Sequence, residues 1–154
     1  MRKLTLLAVV AMLAACSNPK SENTDTTAET KPESMLVEKE IEGEVFFVAP
    51  AEGDSVSNPV KLTFGVKGME VEPAGAVNEG KGHHHIIIDG TFIEKGTGVP
   101  MDSMNIHYGK GQTETELTLT PGKHTLTMQF ADGFHQSYGE AWSKTIEVIV
   151  VENN

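Results

Sequence analysis

Leu62, Phe64 and Val66 alternate with Lys61, Thr63 and Gly65. The same two-residue period returns at Leu117 and Leu119, at Leu126, Met128 and Phe130, and at Ile146, Val148 and Val150. A period of two sends successive side chains to opposite faces of a strand, so each run has one face to bury and one to leave in water. Turn signals separate the runs: Ala49-Pro50-Ala51-Glu52-Gly53-Asp54, Ser57-Asn58-Pro59, Gly109-Lys110-Gly111 and Pro121-Gly122. No window carries a helical period. The predicted strands are Val45–Val48, Val60–Val66, His83–Asp89, Met104–Tyr108, Thr113–Thr120, Lys123–Phe130 and Lys144–Val151. Seven strands in about 110 residues are enough for one two-sheet core. The expected fold is all-β, an immunoglobulin-like β-sandwich of about seven strands over residues 44–152, with a cupredoxin-like barrel as the alternative.

The chain opens differently. Arg2 and Lys3 precede an apolar stretch, Leu4 to Leu13, and Leu13-Ala14-Ala15-Cys16 follows. This is the pattern of a lipoprotein signal peptide over residues 1–15, with Cys16 as the lipidated residue of the mature chain. Several acyl chains bury many methylenes at about 0.8 kcal/mol each, which gives stable anchoring to a membrane. Ser17 rather than Asp after the cysteine favours the outer membrane of a bacterial cell envelope. Residues 16–43 are rich in Ser, Thr, Asn, Glu, Lys and Pro and read as a flexible tether, with Met35-Leu36-Val37 a small apolar interruption.

Cys16 is the sole cysteine, which excludes an intramolecular disulfide and a multi-thiolate metal site. Removing Arg2 and Lys3 leaves 10 basic residues against 22 acidic ones, a formal charge of −12. That charge argues against nucleic acid as a partner. There is no Gly-x-Ser-x-Gly elbow and no His-Glu-x-x-His pair, and catalysis is not expected.

Half of the six histidines stand side by side, in Gly80-Lys81-Gly82-His83-His84-His85-Ile86-Ile87-Ile88-Asp89. Alternation points His83 and His85 to one side with Ile87, and His84 to the other with Ile86 and Ile88. An immunoglobulin-like strand order brings His107 and the Ala131–Ser143 connection, with His135 and Tyr138, to the end where His83 lies. Asp89, Met101 and His124 go to the opposite end. Residues two apart on a strand are about 6.5–7 Å apart at Cα, close enough for two imidazoles to share an ion. Imidazole suits copper, zinc and nickel. The candidate ligands are therefore His83, His85, His107 and His135, for Cu(II) or Zn(II), with Met69 and Met104 as soft donors for Cu(I). Binding should weaken below about pH 6, where free imidazoles become protonated. His84 is expected to be partly buried and hydrogen-bonded, His124 structural, and Trp142 a core plug. The competing reading keeps all the histidines structural, in a module that binds a protein or a glycan.

Four segments carry a resemblance: Phe47-Val48-Ala49-Pro50 through Met69, Gly80–Asp89, Ile106–Phe130 and the closing Ser143–Val148. Together they resemble the bacterial domain-of-unknown-function family 4399 over roughly residues 46–150. The triple histidine before an apolar run and the Gly109-Lys110-Gly111-Gln112-Thr113 turn are the most specific parts. The resemblance implies export and no established activity. It also implies another histidine near Asn105 and over Phe134–Glu140, which would leave a shared site short of a ligand here.

Overall fold

The computed structural model describes residues 41–152. The residues read as a signal peptide, Cys16 and most of the stretch read as a tether lie outside the described residues. Among the described residues, nine strands form two sheets. They are β1 (Glu44–Ala49), β2 (Ser55–Ser57), β3 (Val60–Lys67), β4 (Glu70–Val71), β5 (Lys81–Ile88), β6 (Asn105–His107), β7 (Glu114–Leu117), β8 (Gly122–Ala131) and β9 (Ser143–Val151). One sheet has the order β1-β3-β7. The other runs β2-β9-β8-β5-β4, with β6 also paired to β5. A single 3-10 turn at Glu140–Trp142 leads into β9.

All seven expected runs are strands, and the all-β, two-sheet architecture is as the alternation predicts. The apolar phases meet in one core. Val45, Val60, Leu62, Phe64 and Leu117 come from the smaller sheet, and Ile86, Leu126, Met128, Phe130, Ile146, Val148 and Val150 from the larger. Burying a side chain of this kind is worth about 1.5–3 kcal/mol, so the alternating phase itself selects the sandwich. Trp142 is buried in this core, as expected of a plug. Ile41 packs against the same cluster. A methyl group on Gly43 would run into the Lys67 carbonyl and the Trp142 ring, so close packing already includes the last residues assigned to the tether.

Two expectations change. The segments around Ser55–Ser57 and Glu70–Val71, read as turn or loop, form short parallel pairings with β9 and β5. The Gly109-Lys110-Gly111 turn is not a hairpin. β6 pairs with β5 in one sheet and β7 with β3 in the other, so this turn carries the chain across the sandwich. Gly111 adopts φ 76°, and its N–H donates to the Tyr108 carbonyl at 3.1 Å, which closes the turn.

The outer face of the larger sheet positions the site. It carries His83, His85 and Ile87 from β5 and Thr127 and Gln129 from β8, all buried. The connection between β5 and β6 folds over it. Thr127 Oγ1 donates to the Gly90 carbonyl at 2.8 Å, and the Ile93 N–H donates to Gln129 Oε1 at 3.0 Å. The Val99 N–H donates to the His135 carbonyl and the Ser137 N–H to the Thr97 carbonyl, so this cover is tied to the segment after β8.

Candidate metal centre

Local backbone rules set the position of each histidine. On β5, His83 and His85 share the outer face, and His84 takes the inner one. On β6, His107 lies directly opposite His85 in an antiparallel pair. Directly opposed residues in such a ladder have Cβ atoms about 4.5–5.5 Å apart, so the two rings meet, with centroids 5.0 Å apart and stacked. His135 follows β8 in a turn built on Asp132, whose Oδ1 accepts the N–H groups of Phe134 at 2.8 Å and Gln136 at 2.9 Å. His135 has φ 67°. A left-handed backbone is uncommon for a side-chain-bearing residue and costs free energy, and such residues concentrate at functional sites.

The result is a run of ring nitrogens. His85 Nε2 lies 3.1 Å from His83 Nε2, His83 Nε2 lies 3.2 Å from His107 Nε2, and His107 Nε2 lies 3.1 Å from His135 Nε2. One ligand atom from each of His83, His107 and His135 falls within 4.8 Å of the others. His85 adjoins this trio through His83 and stands outside the mutually close set, so three of the four candidate ligands converge and the fourth lies beside them. Bonds of about 2.0–2.1 Å to one ion give nitrogen–nitrogen edges of about 3.3–3.4 Å in a tetrahedron and about 2.8–3.0 Å in a square plane. The three successive contacts fall between these limits.

Burial favours the neutral form of His83, His85 and His107. His83 is pushed down to about 4 by burial first, then by His107 and His135, with Asp132 opposing. His85 is pushed down to about 3 by burial and by its histidine neighbours. His107 is lowered by burial and then by His135. Neutral imidazole is the form that offers a lone pair to a metal. The Nδ1 atoms of His83 and His85 are buried without a hydrogen-bond partner, so no second protein group fixes those two rings from behind.

Gly109 contributes by what it lacks. A methyl group there would overlap Cε1 and Nε2 of His107. The sequence marks this glycine only as part of a turn. The other spatial residues missed by sequence reasoning are Asp132 and Gln129. Gln129 Nε2 donates to the Gly139 carbonyl at 3.0 Å and the Trp142 carbonyl at 3.2 Å, which holds the segment after β8 against the sheet.

His84 departs from the expectation, and His124 follows it. His84 is fully buried between the rings of Phe64 and Phe130, at centroid distances of 4.9 Å each, and neither of its nitrogens has a partner. Its phase with Ile86 and Ile88 carried it further inside than expected, into a lining of aromatic carbon that offers no acceptor. Met69 packs on the core, and the Met104 carbonyl accepts the Ile88 N–H, three residues along β5 from His85. His124 is at the other end, with Nδ1 2.8 Å from Asp89 Oδ2 and Nε2 2.9 Å from the Thr120 carbonyl.

The chain matches the model of the DUF4399 family, a domain of unknown function, over residues 62–151, and belongs to that family. No curated protein and no solved structure matches it significantly.

Proposed function

We propose that this member of domain-of-unknown-function family 4399 is a lipid-anchored, non-catalytic protein of the bacterial cell envelope. In this reading it binds one transition-metal ion, copper or zinc, through His83, His85, His107 and His135. The observation that carries the metal reading is the three successive Nε2–Nε2 contacts of 3.1, 3.2 and 3.1 Å. A neutral ring has one proton for its two nitrogens. Wherever two facing Nε2 atoms both carry lone pairs they repel, and a shared cation would remove that repulsion. The acidity of the chain adds a long-range attraction for cations. The anchor reading is supported by the Leu13-Ala14-Ala15-Cys16 pattern at the end of an apolar stretch.

Calorimetric titration of tag-free, chelator-stripped protein with Cu(II) and with Zn(II) tests the metal. One site per chain tighter than about micromolar is expected. The double variant His83→Ala/His85→Ala should lose it. Binding no tighter than about millimolar for both ions, or an unaffected double variant, would rule the reading out. Cys16→Ser should leave the membrane fraction, and unchanged fractionation and processing would contradict the anchor.

One feature favours a second reading, a protein- or glycan-interaction module. A groove of about 690 Å3 lies beside the sandwich, lined by Ile41, Met69, Val77, Tyr138 and Trp142 among others. If metal binding fails, this aromatic-lined groove is where a partner should be sought by chemical-shift mapping.

A further inference from the structure

We infer that the metal is cargo rather than a fixed structural part, and that it enters and leaves stepwise past His135. This rests on the metal reading above and concerns how the same site exchanges its ion.

The four rings are not equally held. His83 and His85 are fully buried on the central strand β5, beneath the cover formed by the connection to β6. His107 and His135 are partly exposed. Of these two, His107 is wedged. Its ring stacks on His85 at 28°, and Gly109 lies so close to its Cε1 and Nε2 that a methyl group there would overlap them. His135 meets the other three rings only edge-on, at interplanar angles of 82°, 86° and 76°. Its backbone is pinned by the Asp132 turn and by the Val99 N–H, so its side chain can turn outward without disturbing the fold. The next side chain, Phe134, is 64% exposed. Gly133, by contrast, is buried against the Ala76 backbone, so the access on this side is at His135 itself.

The step is a ligand substitution. A lone pair of an incoming donor forms a bond to the ion as the bond to His135 Nε2 breaks. No electron is transferred, and the ion keeps its oxidation state and its bonds to the buried pair while the newcomer takes hold. A closed structural site would release its metal only when the protein opens, at a rate blind to the acceptor.

The test is stopped-flow release of zinc from the loaded, full mature chain to the chelator 4-(2-pyridylazo)resorcinol. The expected rate rises in proportion to chelator concentration. His135→Ala should raise it by about tenfold or more at fixed chelator, the equivalent of losing one modest interaction. A rate that does not depend on chelator overturns the inference while leaving metal binding intact. So does a His135→Ala variant that releases zinc at the parent rate. Failure of the parent to retain zinc after desalting would remove the metal reading itself.

Discussion

His84→Leu should make the metal-free domain more stable, and increasingly so in acid. The ring is fully buried, with neither nitrogen partnered. Leaving a buried polar group unsatisfied costs about 1–3 kcal/mol, and a leucine of similar bulk against Phe64 and Phe130 removes that cost. The acid effect follows from linkage. Burial, and secondarily His83, holds the folded-state pKa at about 4, below the ordinary 6.5. Above pH 6.5 both states are neutral and nothing is lost. As pH falls from there toward 4, the unfolded chain takes up the proton and the folded one does not, so stability drains away. Between pH 7 and pH 5 this single ring should cost about 2 kcal/mol. Urea denaturation of parent and variant at those two pH values measures both quantities. The variant should be the more stable at pH 7 and lose about 2 kcal/mol less on going to pH 5. Metal affinity should be unchanged, because His84 faces the core. A variant less stable than the parent at pH 7, or equally acid-sensitive, would refute the account of His84 as an unsatisfied core residue.

Gly109→Ala should weaken metal binding by about tenfold or more, because the added methyl displaces the His107 ring. The melting temperature of the metal-free protein should hardly move, and an unchanged calorimetric affinity would count against the proposed role of that glycine. Metal affinity should survive mild acid better than the expectation from free imidazoles. Four rings with ordinary pKa values would lose about 10,000-fold at pH 5.5, whereas with His83 at about 4 and His85 at about 3 the loss should stay under about 100-fold. Titration at pH 7 and pH 5.5 checks this, and a larger loss would mean that the buried pair titrates freely. His124→Ala should leave metal affinity intact and destabilise the fold by about 1–2 kcal/mol through loss of its bonds to Asp89 and Thr120, as read by urea denaturation.

Alternation made most of this fold legible. A run such as Leu126, Met128 and Phe130 has only one way to bury its apolar set in a strand, so its face follows from its spacing. β2 and β4 were not legible. They are three and two residues long and are held by backbone pairing with β9 and β5, which leaves no side-chain pattern. The glycine turn after His107 announces a reversal, but nothing local says which sheet the next strand joins. The four-histidine set followed from alternation combined with strand order, two signals that act on the backbone and need no knowledge of side-chain contacts. The dryness of His83 and His85 did not follow. It depends on the connection after β5 lying over the sheet through bonds to Thr127 and Gln129, and those partners are more than thirty residues away.

β5 serves two masters, the sandwich on one side and the imidazole cluster on the other. Moving it by one residue along β8 would exchange its faces, sending His83 and His85 inward and Ile86 and Ile88 out. The four donors would then never meet. If the cluster binds a metal as proposed, a chain paired in the wrong register could not hold the ion, and one paired correctly would be stabilised by it. The ion would thus act as a proofreader of strand pairing, favouring the one alignment in which core and cluster are both complete.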